Sequence, residues 1–230
     1  MQAMVSSPFR EGMAKGFPFV VILVPFGALF GVLATEAGLT LTQVMAFTSL
    51  VIAGASQFTA IQLMVDDVPA AIVILSALAV NLRMVMYSAS LAPHLGPAPA
   101  WQRVIIAYLL VDQTYALSQS AYDDNPAWSL RDKVAFFAGT ALPVFPAWVG
   151  STLIGALLGA QVPESWSLDF ALPLAFLALV GPMLRTRAHV VAALVSVTAA
   201  LALAWVPWNL GLIFAALLAM AAGAEMERRA

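Results

Sequence analysis

Apolar residues run through this chain in blocks of about twenty, without the two-residue alternation of a half-buried strand. The blocks cover residues 16–35, 42–65, 69–92, 102–121, 134–160, 168–184, 189–206 and 208–223. About twenty helical residues cross the hydrocarbon core of a bilayer. The pattern therefore predicts an all-α, polytopic transmembrane helix bundle of about eight spans, in one membrane domain covering residues 1–230. The punctuation between blocks is short and rich in turn formers: Asp66-Asp67 before Pro69, the stretch from Pro93 to Pro99, Asp123-Asp124-Asn125-Pro126, Pro163, and Pro207 between Trp205 and Trp208. The first block follows a short polar lead, is too long for a signal-peptide core and has no Ala-x-Ala site after it, so it reads as a retained span.

Composition agrees: 62% of residues are hydrophobic, only 10% are charged, and the mean hydropathy is +0.93. A soluble domain carries about a quarter charged residues, so the solvent of this chain is lipid. Ten basic against 12 acidic residues leave no basic excess for nucleic acid. With no cysteine and two histidines, disulfides, iron–sulfur clusters and Cys/His zinc sites are excluded. No cofactor or metal is expected. His94 and His189 lie at span ends, and neither a His-Glu-x-x-His motif nor a nucleotide-binding Gly-Lys loop occurs. Neither an intramembrane enzyme nor an ATP-driven pump is expected.

The basic residues set an orientation, because cytoplasmic loops retain Lys and Arg. With eight crossings and the N-terminus inside, Arg10, Lys15, Arg131, Lys133, Arg185, Arg187, Arg228 and Arg229 fall inside and Arg103 alone outside. Both termini are then cytoplasmic. Trp101, Trp166, Trp205 and Trp208 lie at the outer interface and Trp128 at the inner one. On this count a re-entrant second span would send Arg131 and Lys133 outside.

Two charges remain in mid-span, Arg83 and Asp112. An ionised group at the bilayer centre costs at least about 2.5–3.5 kcal/mol, so each needs a partner or a wet cavity. With a rise of 1.5 Å per residue the two differ in depth by roughly 3 Å. An Arg83–Asp112 ion pair between adjacent antiparallel spans is the expectation. A second polar group, Gly54-Ala55-Ser56-Gln57-Phe58-Thr59 followed by Gln62, interrupts span two, where small residues weaken the helix. If the helix breaks there, the freed amides of its second half present positive polarity to an anion. Asn81 shares span three with Arg83, and Gln113, Thr114 and Tyr115 follow Asp112. The candidate substrate-binding residues are thus Ser56, Gln57, Asn81, Arg83 and Gln113, with Asp112 as ion carrier. Gly27-x-x-x-Gly31 and Gly155-x-x-x-Gly159 read as close-packing sites. Gly16–Gly31 is echoed by Gly139–Gly159, and Leu91–Leu95 by Val180–Leu184, but the offsets differ and define no single duplication.

At Gly54-Ala55-Ser56-Gln57-Phe58, joined to Asn81-x-Arg83 and to Asp112 ahead of Tyr115-Ala116-Leu117, the sequence resembles the AzlC family. The resemblance extends to Pro207-Trp208-Asn209-Leu210-Gly211-Leu212. It implies the large subunit of a bacterial branched-chain amino acid exporter in the cytoplasmic (inner) membrane, moving valine, leucine, isoleucine and sometimes methionine, with a small AzlD-type membrane subunit as partner. Relatives look like Thr-Asp-Glu where this chain reads Val111-Asp112-Gln113, which leaves Asp112 as the central carboxylate. In that reading the substrate carboxylate docks on amides near Ser56 and Gln57 or on Arg83, and its ammonium on carbonyls, Asn81, Gln113 or Asp112. The competing classes are a channel-like or scaffold subunit and an exporter of another small hydrophobic metabolite. A pore would show a polar stripe along several spans, whereas here the polarity sits at one depth.

Overall fold

The computed structural model describes residues 7–159, 184, 186–207 and 210–229, and the regular structure among them is helical. In chain order the helices are α1 (Pro8–Gly16), α2 (Val20–Glu36), α3 (Leu41–Leu50), α4 (Gly54–Val65), α5 (Ala70–Leu95), α6 (Ala100–Tyr108), α7 (Asp112–Asp124), α8 (Leu130–Gly159), α9 (Arg187–Ala202) and α10 (Leu210–Arg228). A single 3-10 turn at Phe17–Phe19 joins α1 to α2 in one apolar rod. Among the described residues, four helices are long and apolar enough to cross a membrane: Pro8–Glu36, Ala70–Leu95, Leu130–Gly159 and Leu210–Arg228. The expected sixth span lies outside the described residues except for Leu184, as do Trp166, Arg185 and Trp208.

The chain divides into two compact units. The unit built from 1–61 and 80–163 is organised around α2 and α8, which run in the same direction. Along α8, Gly12 of α1 meets Phe136 and Thr140, and Gly27 and Gly31 of α2 meet Trp148 with Ser151 and Thr152 with Ala156. A Cβ on Gly31 would stand 2.2 Å from the Thr152 carbonyl oxygen, and one on Gly155 1.9 Å from that of Ala28. Only glycine permits this approach. Both Gly-x-x-x-Gly sites are therefore packing sites, and the echo between Gly16–Gly31 and Gly139–Gly159 falls on two helices that lie side by side. In the other unit α9 and α10 form an antiparallel pair, with Gly223 against Ala192 near one end and Gly211 against Leu203 near the other.

The expected second and fourth spans are not single crossing helices. Gly38, at φ +87°, ends α2, with the Leu39 amide donating to the Ala34 carbonyl, and reverses the chain. Thr40 and Gln43 then cap α3 reciprocally. Ten residues of α3 rise about 15 Å, half of a bilayer's apolar thickness. At Val51 the backbone becomes extended (φ −123°, ψ 91°), and α4 starts at Gly54. Phe47 of α3 and Phe58 of α4 both pack edge-on against Phe30, so the two helices lie at one level on either side of the break. The sequence predicts this break; it does not predict that α4 turns back.

A second hairpin enters from the opposite end. Successive contacts Arg83–Asp112, Tyr87–Tyr115, Ser90–Gln119 and His94–Tyr122 advance together along α5 and α7, so these helices are parallel. Lys133, near the start of α8, lies 3.1 Å from His94, near the end of α5. The helix α6 therefore climbs from that end, the chain breaks at 109–111, and α7 descends again. Thr114 holds the break: its hydroxyl accepts the Val111 N–H at 2.9 Å and faces the carbonyls of Leu109 and Val111 at 3.0 Å. The tips of the two hairpins meet, the Tyr108 hydroxyl donating to the Ser49 carbonyl. Around them Ile52, Leu109 and Val111 pack with Ala141, Val144 and Phe145, at the middle of α8.

The two hairpins are copies in register. The end of α3 at Leu50, the start of α4 at Gly54 and the hydroxyl of Ser56 recur 58 residues later as Tyr108, Asp112 and Thr114. Ser56 donates to the Ala53 carbonyl as Thr114 does to that of Val111, each at 3.0 Å. The repeat is thus 20–65 against 78–123, inverted in direction. The chain has no native cysteine, so single-cysteine labelling tests this directly. Thr42→Cys and Asp66→Cys should react with a membrane-impermeant maleimide from one face, and Gln102→Cys and Asp124→Cys from the other. Eight crossings would separate the members of each pair.

Candidate functional site

The two half-helices begin level with the middle of α8, and α5 joins them. Asn81 and Arg83 are two residues apart on α5 and so point to nearly opposite sides of it. Asn81 Nδ2 donates to Ser56 Oγ at 3.0 Å, tying α5 to the first turn of α4. Arg83 Nη1 reaches Asp112 Oδ2 at 3.0 Å, tying α5 to the first residue of α7. The expected ion pair is present. It joins parallel helices, not antiparallel ones, because α6 alone makes the return.

Asp112 is held on both oxygens. The Tyr87 hydroxyl donates to Oδ1 at 2.9 Å while Arg83 occupies Oδ2. The carboxylate also sits in the first turn of α7, where the partial positive charge of the helix N-terminus favours an anion. The Arg83 and Asp112 side chains are 30% and 42% exposed, so the pair lines an accessible face of its unit and is not sealed in its core. From Tyr87 a polar seam continues along α5 and α7. Its ring stacks on Tyr115 at 4.1 Å, Tyr115 donates to Ser90, Ser90 to Gln119, and Gln119 to Asp123 at 3.1 Å.

The start of α4 differs in kind. Ser56 and Gln57 are both fully buried. Ser56 is satisfied by Ala53 and Asn81, whereas neither Nε2 nor Oε1 of Gln57 has a hydrogen-bond partner among the described residues. The same holds for Asn81 Oδ1, Arg83 Nε and Trp148 Nε1, all buried. Gln113, in the first turn of α7, is half-buried and makes no side-chain hydrogen bond to another described residue. Of the candidates, the structure thus joins Ser56 to Asn81 and Arg83 to Asp112, and leaves Gln57 and Gln113 unengaged.

Tyr87 and Trp148 are the residues that sequence reasoning missed. Tyr87 follows Arg83 by four residues, so a helical wheel places them on one face. Trp148 carries no comparable signal: it lies in an apolar run of α8 and reaches α4 only through the fold.

Residues 18–162, which contain both hairpins and the ion pair, match the family described as AzlC protein. The chain belongs to the AzlC family. An uncharacterized membrane protein of Archaeoglobus fulgidus is 33% identical over 208 residues, covering 86% of this chain and 85% of its own. The inner membrane protein YgaZ of Escherichia coli K12 is 26% identical over 88% of this chain and 84% of its own. An uncharacterized membrane protein of Helicobacter pylori 26695 is 26% identical over 74% of this chain and 75% of its own. No solved structure matches the chain. The AzlC match includes every candidate site residue and ends before α9.

Proposed function

We propose that this AzlC-family membrane protein is a secondary transporter exporting valine, leucine, isoleucine and sometimes methionine across the bacterial inner membrane, as the large subunit of a permease with a small AzlD-type partner. The observation that carries the reading is the meeting of two broken helices at mid-depth around Arg83 and Asp112. Discontinuous helices expose backbone groups where a solute must be held, and intramembrane ion pairs lie on substrate or proton paths. Ser56, Gln57, Asn81, Arg83 and Gln113 supply the polar contacts to an amino acid, and Leu, Val and Phe side chains the apolar ones. Asp112 is the proton carrier. The chain is a carrier in this reading and not an enzyme.

Two re-entrant hairpins also improve the orientation argument. Arg10, Lys15, Arg131 and Lys133 lie toward one end of the hairpin-bearing unit, and Arg103, the exception in an eight-span count, joins them because α6 starts there. This end is cytoplasmic by the positive-inside rule. Arg187 and Arg228 share an end of the α9–α10 pair, which the same rule places inside. Two of the apolar blocks, 42–65 and 102–121, become hairpins and not crossings, and both termini are cytoplasmic in this reading.

Inverted membrane vesicles with an imposed proton gradient test the function. Radiolabelled leucine should accumulate when the chain and its small partner are both produced, and collapse of the gradient should abolish accumulation. Equal leucine content with and without the protein would overturn the reading.

A further inference from the structure

We infer that the carboxylate of the transported molecule binds at the N-terminus of α4, against the amides that begin at Gly54 and the side chains of Gln57 and Trp148. This deepens the transport reading and rests on it. It also decides between two docking places that the sequence leaves open, since the guanidinium of Arg83 is already engaged by Asp112.

The inverted repeat supplies the argument. Both half-helices start at mid-depth, and the first N–H groups of each have no carbonyl of their own helix to bond. At α7 the protein provides the anion itself: Asp112 is the first residue, with Arg83 and Tyr87 on its oxygens. The matching position in α4 is Gly54, and the first turn of α4 contains no acid. One copy has a resident carboxylate and the other has none.

The surroundings of the α4 terminus are those of an anion site. The indole of Trp148, 5% exposed, lies over Gly54, so that a Cβ there would be 2.9 Å from Cη2. The Nε1–H of that indole has no partner among the described residues, and neither has the amide of the fully buried Gln57 in the same first turn. A buried donor without an acceptor is unfavourable until something accepts from it. Backbone amides, an indole N–H and a carboxamide N–H are all donors, and a carboxylate only accepts. No Lys or Arg occurs in α2, α3, α4 or residues 134–159 of α8, and Arg83 of α5 is paired with Asp112, so the uncompensated positive charge nearby is that of one helix end. That suits a single negative charge and not a phosphate or sulfate dianion.

Binding to the purified protein in nanodiscs, measured by calorimetry with leucine, leucinol and 4-methylpentanoate, tests the assignment. Leucinol lacks the carboxylate, and 4-methylpentanoate lacks the ammonium. Leucinol should bind at least about tenfold more weakly than leucine, the range expected for hydrogen bonds to a charged group. Trp148→Phe, which removes the N–H together with the distal ring atoms that touch Gly54, should weaken both carboxylates about tenfold and leave leucinol unchanged. Gln57→Glu, which puts a resident anion beside the terminus, should do the same and serves if the tryptophan variant folds poorly. Leucinol binding as tightly as leucine, or carboxylate affinities unmoved by both variants, would overturn the subsite while leaving amino acid transport intact. Sensitivity of 4-methylpentanoate to both variants, with no leucine binding, would retain the subsite and remove the amino acid. Failure of both carboxylates to bind would overturn the subsite.

Discussion

Asp112→Asn should stop proton-driven leucine export, lowering the flux at least about a hundredfold, while the protein still inserts and melts near the wild-type temperature. The asparagine is isosteric and keeps an oxygen for the Tyr87 hydroxyl, now 2.9 Å from Oδ1. It removes the negative charge and the group that takes up and releases a proton. Gln113, the next residue, has no acid to substitute for it. The loss of stability should be small. A fully buried pair that loses one member costs about 3–5 kcal/mol, but with side chains 30% and 42% exposed this one is nearer the roughly 1 kcal/mol of accessible pairs. Adding Arg83→Gln should recover that loss without restoring flux. Vesicle flux at matched protein content, with melting followed on the same preparations, checks both points, and undiminished export by Asp112→Asn would remove it from the coupling step.

The largest effect on stability is expected at Gly155. Its missing side chain lets α8 lie against the backbone of α2, and a Cβ there would be 1.9 Å from the Ala28 carbonyl oxygen. Overpacking costs about 1–3 kcal/mol where side chains can shift. Here the obstacle is main chain, so Gly155→Leu should cost more than about 3 kcal/mol and prevent accumulation of monodisperse protein. Gly150, on the same helix, has nothing within 4 Å of its Cβ position, and Gly150→Leu should be neutral. Size-exclusion profiles and melting temperatures of the two variants make the comparison, since both add the same side chain to one helix. Equal behaviour of the two would contradict the α2–α8 packing.

Much of this was legible in the sequence, for reasons that particular residues make plain. The break in span two shows because Gly54, Ala55 and Ser56 are poor mid-span residues followed by a carboxamide. The break at 109–111 does not, because Leu109, Leu110 and Val111 are as apolar as any span, and only Asp112 marks the place. Re-entry was hidden in both cases. A window of hydropathy adds residues without regard to direction, so ten residues inward and twelve outward look like one crossing of 42–65. The Arg83–Asp112 pair followed from depth alone, which is the same whether the helices run parallel or antiparallel. The glycine echo near 139–159 marked two helices that touch, whereas the repeat of 58 residues left almost no identity between its copies. What survives of it is backbone geometry and a hydroxyl in the third position of each half-helix, Ser56 and Thr114.

The repeat has a consequence for how the chain is threaded into the bilayer. Its first copy, 20–65, contains no lysine or arginine, and its second, 78–123, has only Arg103 besides the paired Arg83. Neither copy holds much positive charge with which to anchor itself. On the proposed orientation the heading of each is set from outside, by Arg10 and Lys15 ahead of the first and by Arg131 and Lys133 behind the second, with Arg103 as the one internal tether. Two nearly neutral segments pinned at their far ends can face opposite ways within a single polypeptide.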